Sequence, residues 1–185
     1  MKFNFFGTKI NVSFLFLAII TFMFLIDKSG ILMPMSIAVI LHEISHLIAM
    51  GIFRCQPKEI RLIPGGIEIT RSFCLKKKTE ILISLSGPFI NIFLFVVFLK
   101  IDIEFSLINL CIGVFNLLPL SFLDGGEILI KLLGEYKAEK IFKLLSILIG
   151  GLGVFLGVYL IINKIPNISL LIFSVYLILS IIIKF

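Results

Sequence analysis

Long apolar runs alternate with short polar stretches along the whole chain. A helix needs about 20 mostly apolar residues to cross the hydrocarbon of a bilayer, and six of these runs are near that length. The pattern predicts an all-α polytopic membrane protein with about six transmembrane helices. The predicted spans lie at about 11–26, 31–53, 80–99, 105–122, 141–163 and 167–183.

A different pattern occupies the polar stretch between the second and third runs. Residues 59–63 and 66–71 alternate, or nearly alternate, apolar and polar side chains on either side of Pro64-Gly65. Such alternation around a Pro-Gly turn predicts a small membrane-associated β-hairpin. The basic flank at Arg71 and residues 76–78 would lie at the anionic lipid surface. The hairpin is either an anchor or a substrate contact.

Composition supports the membrane class and excludes an ordinary soluble domain. Hydrophobic residues make up 59% of the chain and charged residues 15%, with a mean hydropathy of +1.19. The net charge of +6 would suggest nucleic acid in a soluble protein. In a membrane protein the positive charge instead indicates how the chain is oriented in the bilayer, and we expect no nucleic-acid partner. The three cysteines form no CxxC pair, so free thiols are expected.

The basic residues divide unequally between the two sides of the membrane. If the spans alternate in direction, all the lysines and arginines except Lys28, Lys100 and Lys164 fall on one side. The positive-inside rule then places both termini and the loops at 54–79 and 124–140 in the cytosol. The first run lacks a small-x-small cleavage site before Asp27, so we interpret it as a span rather than a signal peptide.

The second run contains His42, Glu43 and His46 in the pattern H-E-x-x-H, and these are the only two histidines of the chain. Residues four apart share one face of a helix about 6 Å apart, so two imidazoles can bind one tetrahedral zinc. Glu43 follows the first ligand and can take a proton from water. Such groups at membrane depth are costly unless they are functional. The pattern predicts a zinc site with Glu43 as general base; polar contact between helices is the alternative.

A catalytic zinc needs a third protein ligand and an open position. Asp27 and Asp102 lie at the predicted non-cytosolic ends of spans, whereas Asp124 ends the fourth span on the cytosolic side. Pro119 lacks an amide hydrogen, and the glycines at 125–126 permit a change of direction. A helix broken there can aim Asp124 inward.

Three motifs occur in a fixed order: H-E-x-x-H at 42–46, G-P-x-x-N at 87–91 and N-x-x-P-x-x-x-x-D-G at 116–125. Together they resemble the site-2 protease family of intramembrane zinc metalloproteases, the M50 peptidases. The segment Pro64-Gly65-Gly66 is similar to the Gly-Gly hairpin of that family. The likeness covers about residues 31–130.

The resemblance implies a set of site residues and a substrate class. It makes Asp124 the third ligand of one zinc per chain, and it places Asn91 and Asn116 along the catalytic cavity. It also puts Gly65 and Gly66 beside the active site. Substrates would be transmembrane or membrane-associated proteins cleaved by attack of a metal-activated water. The lipid bilayer is the other partner.

The resemblance also predicts the organisation and the setting of the protein. We expect one membrane-embedded metalloprotease domain over residues 1–185, with its catalytic core at about 31–130 and extra spans at 11–26, 141–163 and 167–183. Cytosolic termini and few extramembrane parts are most similar to the sporulation proteases that release a sigma factor. A bacterial cell membrane, a membrane-bound transcription factor precursor and a regulatory membrane partner are therefore expected. No CBS or PDZ segment is recognisable, which leaves the regulator open.

Other chemistries fit the residues less well. A serine protease would need a histidine beside Ser86, but both histidines are committed to the metal. An aspartyl protease needs two facing aspartates, and only Asp124 is suitably placed. A metal or ion transporter using the same His, Glu and Asp residues is the alternative from another class. Glu43 separates the two, because a transport site has no need of a general base.

Overall fold

The structure is a computed structural model that describes residues 2–5, 8–55, 57–63, 66–71 and 76–163, together with residues 172, 174, 175 and 178. The described part is mostly helical and contains one four-stranded sheet. The helices are α1 (Phe14–Ile26), α2 (Leu32–Ile52), α3 (Lys77–Phe98), α4 (Ile103–Asn116), α5 (Asp124–Leu133) and α6 (Glu135–Ile162). The strands are β1 (Lys2–Phe5), β2 (Thr8–Val12), β3 (Pro57–Ile63) and β4 (Gly66–Arg71).

The contacts within the chain divide it into two compact units, residues 1–117 and residues 118–185. The first unit holds the sheet and α1 to α4, and the second holds α5 and α6. The expectation of a single domain with its core at about 31–130 stays a prediction.

The helices agree with the predicted spans in part. Among the described residues, α2, α3 and α6 are long and apolar enough to cross a membrane, whereas α1 and α4 are shorter apolar helices. The predicted run 11–26 begins too early, because residues up to Val12 belong to β2. The predicted run 105–122 ends too late, because α4 stops at Asn116, ahead of Pro119. The sixth span, 167–183, lies almost wholly outside the described residues, so six spans are not established.

The predicted hairpin is present as β3 and β4, which pair antiparallel. Its turn at Pro64-Gly65 lies outside the described residues. The sheet is larger than predicted, because β2 pairs parallel with β3 and β1 pairs antiparallel with β2. β3 is therefore flanked on both sides, and among the strands that the structure describes β4 lies at an edge of the sheet.

Polar side chains on β2, β3 and β4 hold the sheet in register. Asn11 donates its amide to the Glu59 carboxylate at 3.2 Å, and Arg61 donates to the same carboxylate at 3.0 Å. Arg61 also lies 3.8 Å from the Glu68 carboxylate on β4. The Arg61 and Asn11 donors hold the pKa of Glu59 below its ordinary value, because they stabilise the charged form.

A small apolar cluster connects the sheet to the ends of two helices. Ala49 and Met50 near the end of α2, Cys55 after it and Ile83 on α3 are buried together, and Ile69 of β4 packs against them. Cys55 is disulfide-bonded, so the expectation that all three thiols are free is wrong for this residue; Cys111 is free and exposed. The cluster fixes α2 relative to α3 close to the H-E-x-x-H motif.

Two polar residues of α4 are completely buried between helices. Ser106 donates its hydroxyl to the Phe95 carbonyl on α3 at 2.7 Å, and Asn109 lies one turn further along. Gly113 on the same face approaches Asn91, Ile92 and Pro88 so closely that a Cβ would lie 3.2–3.3 Å from them. These small and polar residues bring α4 against α3 in the absence of a hydrophobic driving force within lipid.

Candidate metal centre

The two histidines of α2 lie on one face of the helix and are buried, with exposures of 4% for His42 and 6% for His46. Their Nε2 atoms lie 3.2 Å apart. Zinc binds imidazole nitrogen at about 2.0–2.1 Å in tetrahedral geometry, which places two ligand nitrogens about 3.3 Å apart. The pair therefore has the spacing that two zinc ligands require.

His46 is oriented by the backbone of α3. Its Nδ1–H donates to the carbonyl oxygen of Ile83 at 2.8 Å, and because a carbonyl only accepts, the proton of a neutral ring lies on Nδ1. Ser86 Oγ lies 3.2 Å from the same Nδ1 and donates its own proton to Ile83 at 2.7 Å. The serine hydroxyl is thus directed away from the imidazole, which agrees with the exclusion of a serine protease.

His42 is oriented by side chains instead. Its Nδ1 lies 2.5 Å from Oδ1 of Asn91, a residue that is fully buried on α3. The Asn91 amide nitrogen donates to the Ala38 carbonyl at 3.3 Å and to Oδ1 of Asn109 at 2.8 Å. Asn109 in turn donates to the Phe105 carbonyl at 2.9 Å. In both histidines Nδ1 faces an oxygen acceptor, so Nε2 is the nitrogen that can bind a metal, the arrangement usual for metal-binding imidazoles.

Gly87 explains the glycine of the G-P-x-x-N motif. A Cβ on this residue would overlap Nε2 of both His42 and His46. Pro88, which follows it, lies inside α3 and is buried. The absence of a side chain at residue 87 thus keeps open the space next to the two ligand nitrogens.

Glu43 lies on α2 directly after His42 and is half-buried. Its position one residue after a ligand matches the general-base position of the H-E-x-x-H pattern. No other glutamate occurs in α2. The helix therefore presents one acid next to the two imidazoles.

Asp124 opens α5 in the second unit. The turn from residue 117 to residue 123 interrupts the helices, and Leu123 caps α5 through its carbonyl, which accepts from Gly126 at 3.0 Å and Glu127 at 3.2 Å. A Cβ on Gly126 would overlap the Leu120 carbonyl, so the turn folds back over the first turn of α5. The second Gly of the Asp-Gly-Gly sequence is thereby required, and Asp124 lies where a helix N-terminus favours negative charge.

The other two aspartates have structural partners. Asp102 accepts from the Phe105 amide at 3.0 Å and caps the start of α4. Asp27 accepts from the Ser29 hydroxyl at 2.6 Å and from the Leu32 amide at 3.0 Å, which lowers its pKa. Their roles as helix cap and turn acceptor agree with their exclusion as ligands.

The predicted ligands, His42 and His46 of the first unit and Asp124 of the second, offer two imidazole nitrogens and one carboxylate. Two imidazoles and one carboxylate form a three-ligand set that suits a catalytic zinc, because the fourth position remains for water or substrate. The donor set thus fits the cofactor predicted from the sequence.

The remaining predicted residues lie in different parts of the structure. Asn116 is the last residue of α4, half-buried, and donates its amide to the Ile112 carbonyl of its own helix at 3.0 Å. Gly66 begins β4, and Gly65 lies outside the described residues. The placement of Asn91, Asn116, Gly65 and Gly66 along a cavity stays a prediction.

One contact residue was not predicted. Asn109 is absent from the three motifs, yet it is fully buried and bonded to Asn91. The sequence did contain a signal for Asn109, because it is a carboxamide within an apolar run. A polar side chain at membrane depth indicates a bonding partner or a function.

Comparison with known proteins gives a consistent result. The sequence model of Peptidase family M50 matches residues 103–160. A zinc metalloprotease of Methanocaldococcus jannaschii is 30% identical over 123 residues, an alignment that covers 57% of this chain and 36% of the relative. A solved structure of a site-2 protease from the same organism superposes with a TM-score of 0.65 at 24% identity, covering 97% of this chain and 92% of that one.

The resemblance recognised from the motifs is therefore confirmed: the chain has the site-2 protease fold and is similar in sequence to the M50 zinc metalloproteases. The apolar helices agree with an integral membrane protein. The chain spans about a third of the length of the curated relative that it matches.

Proposed function

We propose that this protein is an intramembrane zinc metalloprotease that cleaves transmembrane or membrane-associated proteins. The observation that carries the proposal is the pair of Nε2 atoms of His42 and His46, 3.2 Å apart, with each Nδ1 bonded to an oxygen acceptor. Such a pair inside an apolar helix is a metal-binding arrangement rather than a helix contact. The similarity to zinc metalloproteases supports the choice of metal.

In this proposal His42, His46 and Asp124 hold one zinc, and Glu43 is the general base. A zinc ion there supplies Lewis acidity that activates water near neutral pH and polarises a peptide carbonyl. Glu43 takes a proton from the attacking water as the new carbon–oxygen bond forms. It then returns that proton to the amide nitrogen as the carbon–nitrogen bond breaks, so that no further proton donor is needed.

The substrate must present an extended segment, because a helix shields its carbonyls in hydrogen bonds. We propose that the outer edge of β4 pairs with that segment by strand addition. The pairing pattern supports β4 rather than β3, since β3 already pairs with β2 on one side and β4 on the other. Gly66 at the start of β4 lies at the end of this edge.

The setting that we propose is a bacterial cell membrane, with both termini and the 54–79 and 124–140 loops in the cytosol. The distribution of lysine and arginine supports this orientation. We further propose that the cleavage releases a membrane-bound transcription factor precursor under the control of a regulatory membrane partner. The likeness to the sporulation proteases, seen in the motifs and the few extramembrane parts, supports that role.

The test of the function is Glu43→Gln, which preserves the shape of the side chain and removes its basicity. We expect the variant to keep its zinc but to lose activity by about 10²–10⁴-fold, so that an uncleaved substrate accumulates. The measurement compares the membrane proteomes of cells that make the wild type or the variant, across growth conditions that include sporulation.

The matched control is Glu104→Gln, an exposed glutamate in the first turn of α4. It should leave the proteome as in the wild type. If no membrane protein changes in length or abundance in the Glu43→Gln cells under any condition, the protease function is wrong and a transporter becomes the better hypothesis.

A further inference from the structure

We propose that Asn109 is a positioning residue for the metal. It fixes the orientation of the Asn91 amide, and the Asn91 amide in turn determines which nitrogen of the His42 ring can bind the zinc. The inference rests on the proposed zinc site, and it concerns a residue outside the three motifs.

The carbonyl oxygen of Phe105 can only accept a hydrogen bond. Its partner, the side-chain amide of Asn109, must therefore turn its nitrogen toward Phe105, at 2.9 Å. This leaves Oδ1 of Asn109 facing Asn91. An amide oxygen also only accepts, so the direction of the next bond is determined as well.

Two acceptors fix the orientation of the Asn91 side-chain amide. Its nitrogen faces Oδ1 of Asn109 at 2.8 Å and the Ala38 carbonyl at 3.3 Å, and both partners are acceptors. Reversing the amide would place its oxygen against two oxygens. Because Ala38, Asn91 and Asn109 are buried, no water is expected to relieve that repulsion, and an unmade bond there costs about 1–3 kcal/mol.

The consequence reaches the metal through His42. With Oδ1 of Asn91 facing the ring, Nδ1 carries the proton and Nε2 keeps its lone pair. The chain of bonds thus runs in one direction, from the Phe105 carbonyl through Asn109 and Asn91 to His42. His46 needs no such chain, because its Nδ1 donates directly to the Ile83 carbonyl.

Without Asn109, one of the two acceptors that orient Asn91 is lost. The amide can then reverse and offer its N–H groups to Nδ1, which places the proton of a neutral His42 on Nε2 and blocks the metal. Residues that orient metal-binding histidines from behind typically change metal affinity by about 10–100-fold. We expect Asn109→Leu to weaken zinc binding by about 10-fold or more.

The experiment measures zinc affinity of the full chain in detergent by competition with a chelator, for the wild type, Asn109→Leu and Asn109→Asp. Aspartic acid in its protonated form has the shape of asparagine, donates to Phe105 and accepts from Asn91, so it should restore most of the affinity. If Asn109→Leu does not fold, Asn109→Ala replaces it, because alanine removes the same hydrogen bonds with a smaller side chain.

Ser106→Ala is the matched control. Ser106 is also fully buried on α4 and bonds α4 to α3, but its hydroxyl donates to the Phe95 carbonyl, which lies outside the Asn109–Asn91–His42 chain of bonds. It should lower the thermal stability of the protein and leave zinc affinity unchanged. If Ser106→Ala weakens zinc binding as much as Asn109→Leu, the effect is one of helix packing and the proposal is wrong.

A spectroscopic signature completes the test. The chain has only two histidines, so ¹⁵N-histidine NMR of the full chain reports each ring separately. Before zinc is added, we expect a shift of one ring toward the Nε2–H tautomer in Asn109→Leu, while the other ring stays as in the wild type. Wild-type tautomers and wild-type affinity in the variant would overturn the role of Asn109. Failure of the wild type itself to bind zinc would instead overturn the proposed function.

Discussion

Gly87 on α3 and His46 on α2 approach each other so closely that a Cβ on residue 87 would overlap the imidazole Nε2. The same Cβ would overlap Nε2 of His42. Because residue 87 has no side chain, the space between α3 and the two nitrogens stays open, and a metal held by them would use that space. The glycine of the G-P-x-x-N motif thus contributes to the metal site because it has no side chain.

We predict that Gly87→Ala abolishes zinc binding while much of the fold remains. The methyl group would push both imidazoles off the spacing of two zinc ligands, so the loss should exceed the about 10–100-fold typical of residues that only support a ligand. Zinc content by elemental analysis and helix content by circular dichroism give the two readouts.

The control for Gly87→Ala is Gly51→Ala, at the end of the helix that carries the histidines. No atom outside the local helix lies within 4 Å of a Cβ there. This variant should bind zinc as the wild type does. Full zinc occupancy in Gly87→Ala would show that the metal does not lie next to the Nε2 pair.

Asp124→Ala is expected to reduce zinc content to a small fraction, because two imidazoles alone do not complete a three-ligand set. Elemental analysis of purified protein decides. Glu127→Ala is the matched control, since Glu127 shares the first turn of α5 and is also half-buried. Should Asp124→Ala keep its zinc and its activity, the third ligand has been misassigned, and Glu127 or Glu68 becomes the candidate.

Glu59 gives a prediction for the sheet. Its pKa in the folded protein is held below the ordinary 4.5 by Arg61 and Asn11, so the charged form contributes stability above pH 4.5. That contribution is lost as the pH falls through the lowered pKa. Hydrogen exchange of the β2 and β3 amides should therefore accelerate below about pH 4.5 in the wild type, beyond the change in intrinsic rate.

The Glu59→Gln variant should lack this acid-induced loss of protection, because it has no group to protonate. Arg61→Gln should reduce this acid-induced loss of protection, because it removes the hydrogen bond that lowers the pKa of Glu59 most. If all three proteins show the same dependence on pH, the bonds to Glu59 do not hold the sheet together.

The sequence predicted the parts of this fold that depend on local pattern. The H-E-x-x-H helix and the β3–β4 hairpin follow from spacing and alternation within about 20 residues. The β1–β2 hairpin was missed, although residues 9–12 alternate polar and apolar side chains. The residues of β3 that pair with β2 lie 50 positions further along the chain. The end of β2 was included in a predicted span because a long apolar run follows it.

The histidine pair could be singled out in the sequence for a different reason. An imidazole pair at helical spacing is chemically conspicuous in an apolar run, whereas the residues that orient it are not. The Ile83 carbonyl carries no sequence signal, because any residue would supply the same atom. Asn109 carries a weak signal, since its polarity indicates a partner but not which one. Long-range contacts between helices therefore had to come from the structure.

The orientation of the protein in the membrane is our last prediction, and two observations oppose one another. The distribution of lysine and arginine places the 54–79 loop in the cytosol. Cys55, at the start of that loop, is disulfide-bonded, which is typical of an oxidising compartment. We give more weight to the charges, because the positive-inside rule sums over many residues and acts during insertion.

Lys77 and Lys100, at opposite ends of α3 and both exposed, provide the test. Each is changed to cysteine in a chain that carries Cys111→Ala, and intact cells are treated with a membrane-impermeant maleimide without reductant. We expect labelling at residue 100 in intact cells and at residue 77 only after the membrane is opened. The parent chain without either new cysteine measures the background. Labelling at residue 77 and not at residue 100 would reverse the topology, place the β3–β4 hairpin outside the cytosol, and make the Cys55 disulfide an expected feature.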